Sequence, residues 1–310
     1  MAGKLAIPLL LGALLGFGAA FHHATRADAG GLQCAPSGWS MPGGGMLEAE
    51  ALFDDLSARA VVLLGERHDA AAHHQWQLDT LRALHARRGD LVLGLEMFPR
   101  RVQPALDAWV RGELSEADFL ARSDWAKVWR YDAGLYADIF RYARDHRIPM
   151  RALNVEAAFT RAVGRNGFDS TAEDSREGVT RPAAPSPAYA EWLEQIYRLH
   201  LPPERRADAD AVRRGASHFI DAQLVWDRAM AQGIADVLRE RPDTLVVGLM
   251  GNGHLNHGHG VPHQLRDLGV HDQATLLPWD GASDCSQLVA GLADAIFTLE
   301  RRPGGSGAPI

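Results

Sequence analysis

Cysteine is almost missing from this chain: its 310 residues contain only Cys34 and Cys285. Two thiols allow one bridge at most, so no disulfide framework holds the fold. A basic excess is missing too. Lys and Arg number 32 against 39 Asp and Glu, and the net charge is -7, so no nucleic-acid partner is indicated. The most basic run, Arg205-Arg206 with Arg213-Arg214, is broken by acids and reads as a solvated helix face. Neither a Walker nor a Rossmann glycine spacing occurs, which removes the common phosphate cradles. No internal repeat is visible. What is plentiful is apolar surface, 46% of residues, enough for one large domain or a domain carrying an insertion.

The N-terminus stands apart. Lys4 precedes an almost unbroken apolar stretch from Leu5 to Phe21, and Ala27-Asp28-Ala29 has the form of a cleavage signal. Residues 1–29 are therefore expected to be a secretory signal peptide, with an uncleaved anchor as the alternative. That implies a periplasmic or other extracytoplasmic location, with membrane association if the anchor is kept. Cys34 lies thirteen residues beyond Phe21, a poor context for lipidation. In an oxidising compartment it is expected to pair with Cys285.

Residues 30–46 form a tail, residues 47–302 a single domain, and residues 303–310 a loose end. The domain pattern is α/β: a parallel sheet flanked by helices, with an inserted small helical subdomain. Short apolar runs at residues 60–64, 91–95, 150–153, 244–250 and 274–277 read as buried strands. Helices are expected at residues 47–58, from an Asp69 cap to 87, at 135–146, 211–239 and 287–300. Two intervals, about 100–130 and 157–240, are too long for simple crossovers and are read as helical insertions over the sheet edge. Within the second, the polar, Pro-rich run 164–187 is expected to be a mobile loop.

The strand ends carry the chemistry. The first run leads into Gly65-Glu66-Arg67-His68, the second into Glu96-Met97-Phe98, and the fourth into Gly251-Asn252-Gly253-His254. In an open parallel sheet these ends converge on one edge, where ligands bind. Glu66, His68, Glu96 and His254 are thus expected to share a crevice. They suit three roles. His68, Glu96 and His254 could ligate a divalent transition metal, with the second carboxylate as base. All four could form a metal-free acid/base set. Or they could be a hydrogen-bonded cluster tying the strand ends together. His257 and His259, in the glycine-rich loop after His254, could ligate a metal or haem iron, or simply be exposed. His73 and His74 read as surface or half-buried residues. The aromatic run Trp125, Trp129, Tyr131, Tyr136 and Phe140 reads as core of the helical insertion, with an apolar wall for a flat ligand as the alternative.

Several ordered motifs resemble one family. Leu64-Gly65-Glu66-Arg67-His68-Asp69, Gly94-Leu95-Glu96-Met97-Phe98, Gln103-Pro104-Ala105-Leu106-Asp107, Ala222-Gln223-Leu224-Val225-Trp226-Asp227 and Gly251-Asn252-Gly253-His254-Leu255 are similar to motifs of the ChaN family of bacterial haem-binding uptake proteins. That family lies within the Tiki/TraB/erythromycin-esterase superfamily. The resemblance implies haem as ligand, a role in iron acquisition alongside an outer-membrane haem receptor, and tyrosine ligation at a homodimer contact. Tyr131 and Tyr136 are the candidate ligands. The wider superfamily implies a hydrolytic site on Glu66, His68, Glu96 and His254. The sequence departs from the family in placing His257 and His259 where aromatic residues are usual.

Overall fold

A computed structural model describes residues 37–206, 208–281 and 285–300. The expected signal peptide, Cys34 and the end of the chain lie outside these residues. Cys285 is not a free thiol. Strand β1 (Gly38–Ser40) and helix α1 (Ala49–Ala58) lead into β2 (Val61–Glu66), α2 (Ala71–Arg87) and β3 (Leu91–Pro99). Three short helices follow, α3 (Gln103–Val110), α4 (Glu116–Arg122) and α5 (Trp125–Val128), then α6 (Ala137–Asp145) and β4 (Met150–Asn154). The long connection contains α7 (Ala157–Asn166), α8 (Pro187–His200) and α9 (Ala209–Glu240). Last come β5 (Leu245–Gly251), α10 (Val261–Asp267), β6 (Gln273–Asp280) and β7 (Ala295–Leu299).

The strands form one sheet in the order β1-β7-β6-β2-β5-β3-β4, parallel except for β1 against β7. The chain lays down β2, β3 and β4 and then returns to insert β5 between β2 and β3. The three strands expected to carry the site are therefore direct neighbours. All six residues of β2 and all seven of β5 are buried, as a sheet covered on both faces requires. Alternation sorts their side chains. Val62, Leu64, Leu93, Leu95, Val247 and Leu249 join the core beneath α1–α6. Val61, Leu63, Val92, Val246 and Met250 join the core beneath α9 and α10.

Some expectations change. The C-terminal helix does not form. Residues 285–287 make one tight turn, and Ala-Ile-Phe-Thr-Leu becomes β7, with Ala295 in one core and Ile296 in the other. Burial on alternate faces is what a strand provides and a helix does not. Asp69 does not cap α2; it faces Arg67 at 3.4 Å, and Ala70 takes the cap position. The segment 164–187 is pinned rather than loose. Phe168 and Val179 pack with Phe159, Val163 and Val225, and the amides of Ala183 and Gln264 bond reciprocally at 2.9 and 3.0 Å. The two insertions also separate. The first covers one face of the sheet, and α7 and α8 pack on α9 over the other.

Candidate functional site

Glu66 is the last residue of β2, in register with Gly251 at the end of β5. Its even position along β2 turns it toward α2 and α6. Glu96 lies inside β3, one residue past the last β5 pair at Leu95 and Leu249, on the side of Val92, toward α9. The two carboxylates thus leave the same rim of the sheet on opposite faces. His68 and His254, on the turns that follow β2 and β5, bend back over the rim between them.

Each imidazole is gripped at Nδ1 by a carboxylate. His68 Nδ1 lies 2.6 Å from Glu66 Oε1, and His254 Nδ1 lies 2.6 Å from Asp227 Oδ1. Glu96 bridges the halves: its Oε2 accepts from the Gly251 amide at 2.7 Å, and its Oε1 stands 3.4 Å from His254 Nε2. Gly251 is required here, since a Cβ there would lie 2.9 Å from His68 Cε1. An outer set orients these groups. The Tyr136 hydroxyl donates to Glu66 at 2.6 Å, and the Tyr189 hydroxyl to Asp227 at 2.8 Å. His74, one turn into α2, sits 3.3 Å from Glu66 Oε2. Trp129 meets the His68 ring edge-on at 4.6 Å, and Trp226 meets His254 at 5.1 Å.

Burial disfavours ionised Glu66, but hydrogen bonds from His68 and His74 outweigh it and hold the carboxyl well below the usual range. Burial likewise opposes ionisation of Glu96, yet His254 and His68 lower its pKa. Burial opposes the charge on His254, but Glu96 and Asp227 push its pKa up to about 10. His68 is raised in the same way by Glu66 and Glu96. Asp227 is the exception, raised by its own burial despite the bond to His254.

The four residues expected at the strand ends do come together, but not as an open crevice. His68 is 8% exposed and the others 2% or less. Among the described residues, no group of three or more His, Cys, Asp or Glu is placed to hold a metal. The donor atoms face one another instead, each Nδ1 spent on a carboxylate. The expected ligation by His68, Glu96 and His254 therefore has no support in this arrangement. A hydrolytic site on the same residues would also need substrate access that their burial denies.

The two candidate tyrosines part company. Tyr136 is fully buried, and burial, reinforced by Glu66, raises its phenol far beyond the ordinary tyrosine range. Tyr131 is half-buried at the rim, its ring 5.3 Å from His68 and 5.7 Å from Trp129. His257 and His259 lie on the other flank, where His259 stacks on Tyr189 at 5.4 Å. Asp227, Tyr189 and His74 join the site from helices rather than from strand ends. A signal existed for Asp227. Gln223, Asp227 and Met230 repeat at i, i+4 and i+7 along α9, which puts an acid on its buried stripe.

The family model described as haem-binding uptake, Tiki superfamily, ChaN matches residues 52–265. The chain belongs to this family. A solved structure of Campylobacter jejuni ChaN, reported with cofacial haem, shares 17% identity over 82% of this chain and 92% of its own, at a TM-score of 0.64. An erythromycin esterase, EreC, in its open conformation shares 13% identity over 78% of this chain and 77% of its own, at 0.45. A Bacillus cereus protein shares 13% over 74% and 68%, also at 0.45. No curated protein matches the chain.

Proposed function

We propose that this protein binds haem, with Tyr131 as the side chain that meets the iron. Family membership over residues 52–265 supports the ligand class. The observation that carries the residue is the contrast between the two phenols. Tyr136 is committed to Glu66 inside the protein, whereas Tyr131 stands half-buried at the rim against His68 and Trp129. A planar macrocycle needs an apolar wall, and Trp129 with the Tyr131 ring supplies one. Ferric haem, when bound, would supply an iron that accepts a phenolate oxygen. This chain's part is to present that oxygen and shed its proton. The buried ion cluster keeps the floor beneath the ring rigid and dry.

The role extends, in the same reading, to an exported haem-uptake protein. Lys4, the Leu5–Phe21 stretch and Ala27-Asp28-Ala29 support export to the periplasm, with membrane association if the segment is retained. Handover from an outer-membrane receptor and pairing of two copies across haem belong to the same proposal. Hemin titration tests the core of it. A saturable Soret shift is expected for the wild-type chain and a loss of that shift for Tyr131→Phe. An unaltered titration in the variant sinks the assignment, and no shift in either sinks haem binding.

A further inference from the structure

The loop between β5 and α10 carries chemistry that the buried cluster leaves unused. His257 is exposed and adopts a left-handed backbone, φ 58° and ψ 17°. A non-glycine residue there costs roughly 1 kcal/mol or more and needs surrounding structure to hold it. That structure is present: the His257 amide donates to Leu292 O at 2.9 Å, and Gly258 continues the turn at φ 64°. The effect is to bring the His257 ring beside His259, with centres 5.6 Å apart and planes tilted by 41°.

His259 is held from two directions. Its face stacks on Tyr189, and its Nδ1 lies 3.4 Å from Ser186 Oγ. A metal-ligating histidine has its second ring nitrogen fixed by a hydrogen bond of this kind. With Nδ1 so engaged, Nε2 is the nitrogen available for coordination.

The geometry points to a two-imidazole site for a borderline divalent transition ion, Zn2+ or Cu2+, formed by His257 and His259. The spacing permits it. With one nitrogen of each ring turned to a shared ion about 2.05 Å away, the ion would lie about 3.2 Å from each ring centre, and the 5.6 Å between centres would correspond to an N–metal–N angle of about 120°. That value falls between tetrahedral and trigonal. Two protein ligands leave the remaining positions to water or to a donor from outside the chain. The site lies beyond Tyr189 and Asp227, on the opposite flank from Tyr131, and does not depend on the haem reading.

The test uses full-length, untagged protein stripped with chelator, titrated with ZnCl2 by calorimetry. His257→Asn is the main variant, because Asn tolerates the left-handed backbone and removes only the imidazole. His259→Gln is the second. Each is expected to weaken one Zn2+ site at least tenfold, since loss even of outer-shell partners costs about 10–100-fold. With Cu2+, the electron paramagnetic resonance spectrum is expected to pass from two coupled nitrogens to one in either variant. Equal Zn2+ affinity in the wild type and in a folded His257→Asn protein overturns the site. So does an absence of Zn2+ binding by the wild type.

Discussion

Replacing Tyr136 by phenylalanine should weaken the fold and spare the ligand, and the size of the loss follows from the cluster. The substitution keeps a ring fully buried between His74, at 4.1 Å, and Phe140, at 6.1 Å. It removes one hydrogen bond of 2.6 Å to Glu66. A bond to a charged group contributes about 1.5–3 kcal/mol. Glu66 keeps His68 at 2.6 Å and His74 at 3.3 Å, so the carboxylate is not stranded. The expected cost is therefore about 2 kcal/mol, toward the lower part of that range. For a domain of this size, about 2–4 °C of melting temperature goes with each kcal/mol, giving a drop of about 4–8 °C. Calorimetry with parallel urea unfolding measures it. Hemin affinity, read from the Soret band, should stay within about twofold because the phenol is not the iron's partner. An unchanged melting temperature combined with a lost Soret shift would refute the reasoning on both counts, since it would make Tyr136 the ligand and its bond to Glu66 worthless.

Other outcomes follow from the same geometry. Gly251→Ala is expected to cost about 1–3 kcal/mol by overpacking: the backbone at φ -60° accepts alanine, but the new methyl would meet His68 Cε1 at 2.9 Å. Urea midpoints read this directly, and a neutral substitution would mean that His68 is free to move. Stability should also fall as pH rises from 6.5 toward about 10, because His254 has its pKa raised over that span and the folded state loses a proton the unfolded state no longer holds. On the acid side, Glu66 and Glu96 have lowered pKa values, so their contribution is present above the ordinary carboxylate range and lost as pH drops below it. A stability profile flat from pH 7 to 10 would contradict the charged assignment of His254. Hemin affinity should instead climb by about tenfold per pH unit near neutrality, because Tyr131 must shed a proton to bind iron. Burial and the acids Asp69, Glu96 and Glu66 hold that proton more tightly than in free tyrosine. A pH-independent affinity would remove phenolate ligation.

The sequence disclosed the rim but not the lid. Apolar runs followed by Gly-Glu or Gly-x-Gly-His locate the ends of β2 and β5 from composition alone, whereas Glu96 lies inside β3, which runs on to Pro99. Insertion of β5 between β2 and β3 is what makes Glu66, Glu96 and His254 neighbours, and local pattern contains no trace of strand order. Whether four such residues form an open site or a sealed one depends on what packs over them. Trp129 reads from sequence as an ordinary core aromatic, yet it closes against His68, as Trp226 does against His254. His74 was hidden for a related reason. A histidine in the first turn of a helix is usually solvated, and only the approach of α2 to the end of β2 turns it onto Glu66. The segment Ala295–Leu299 shows the limit of periodicity. Five residues suit a helix or a strand equally until β6 and β1 offer both sides a partner.

The arrangement also bears on why binding is preferred to catalysis at this rim. A reactive acid or base must keep a lone pair or proton pointed at solvent or substrate. Here Glu66, Glu96 and Asp227 face His68, His74 and His254, and the raised and lowered pKa values come from these internal pairs. Perturbed titration of this kind marks a functional site only where the group can be reached, and these are sealed beneath aromatic rings. The cluster acts as a polar bolt across the ends of three parallel strands. It fixes the floor on which buried Trp129 and half-buried Tyr131 stand, and in the proposed reading the Tyr131 ring is the part that a flat ligand would meet.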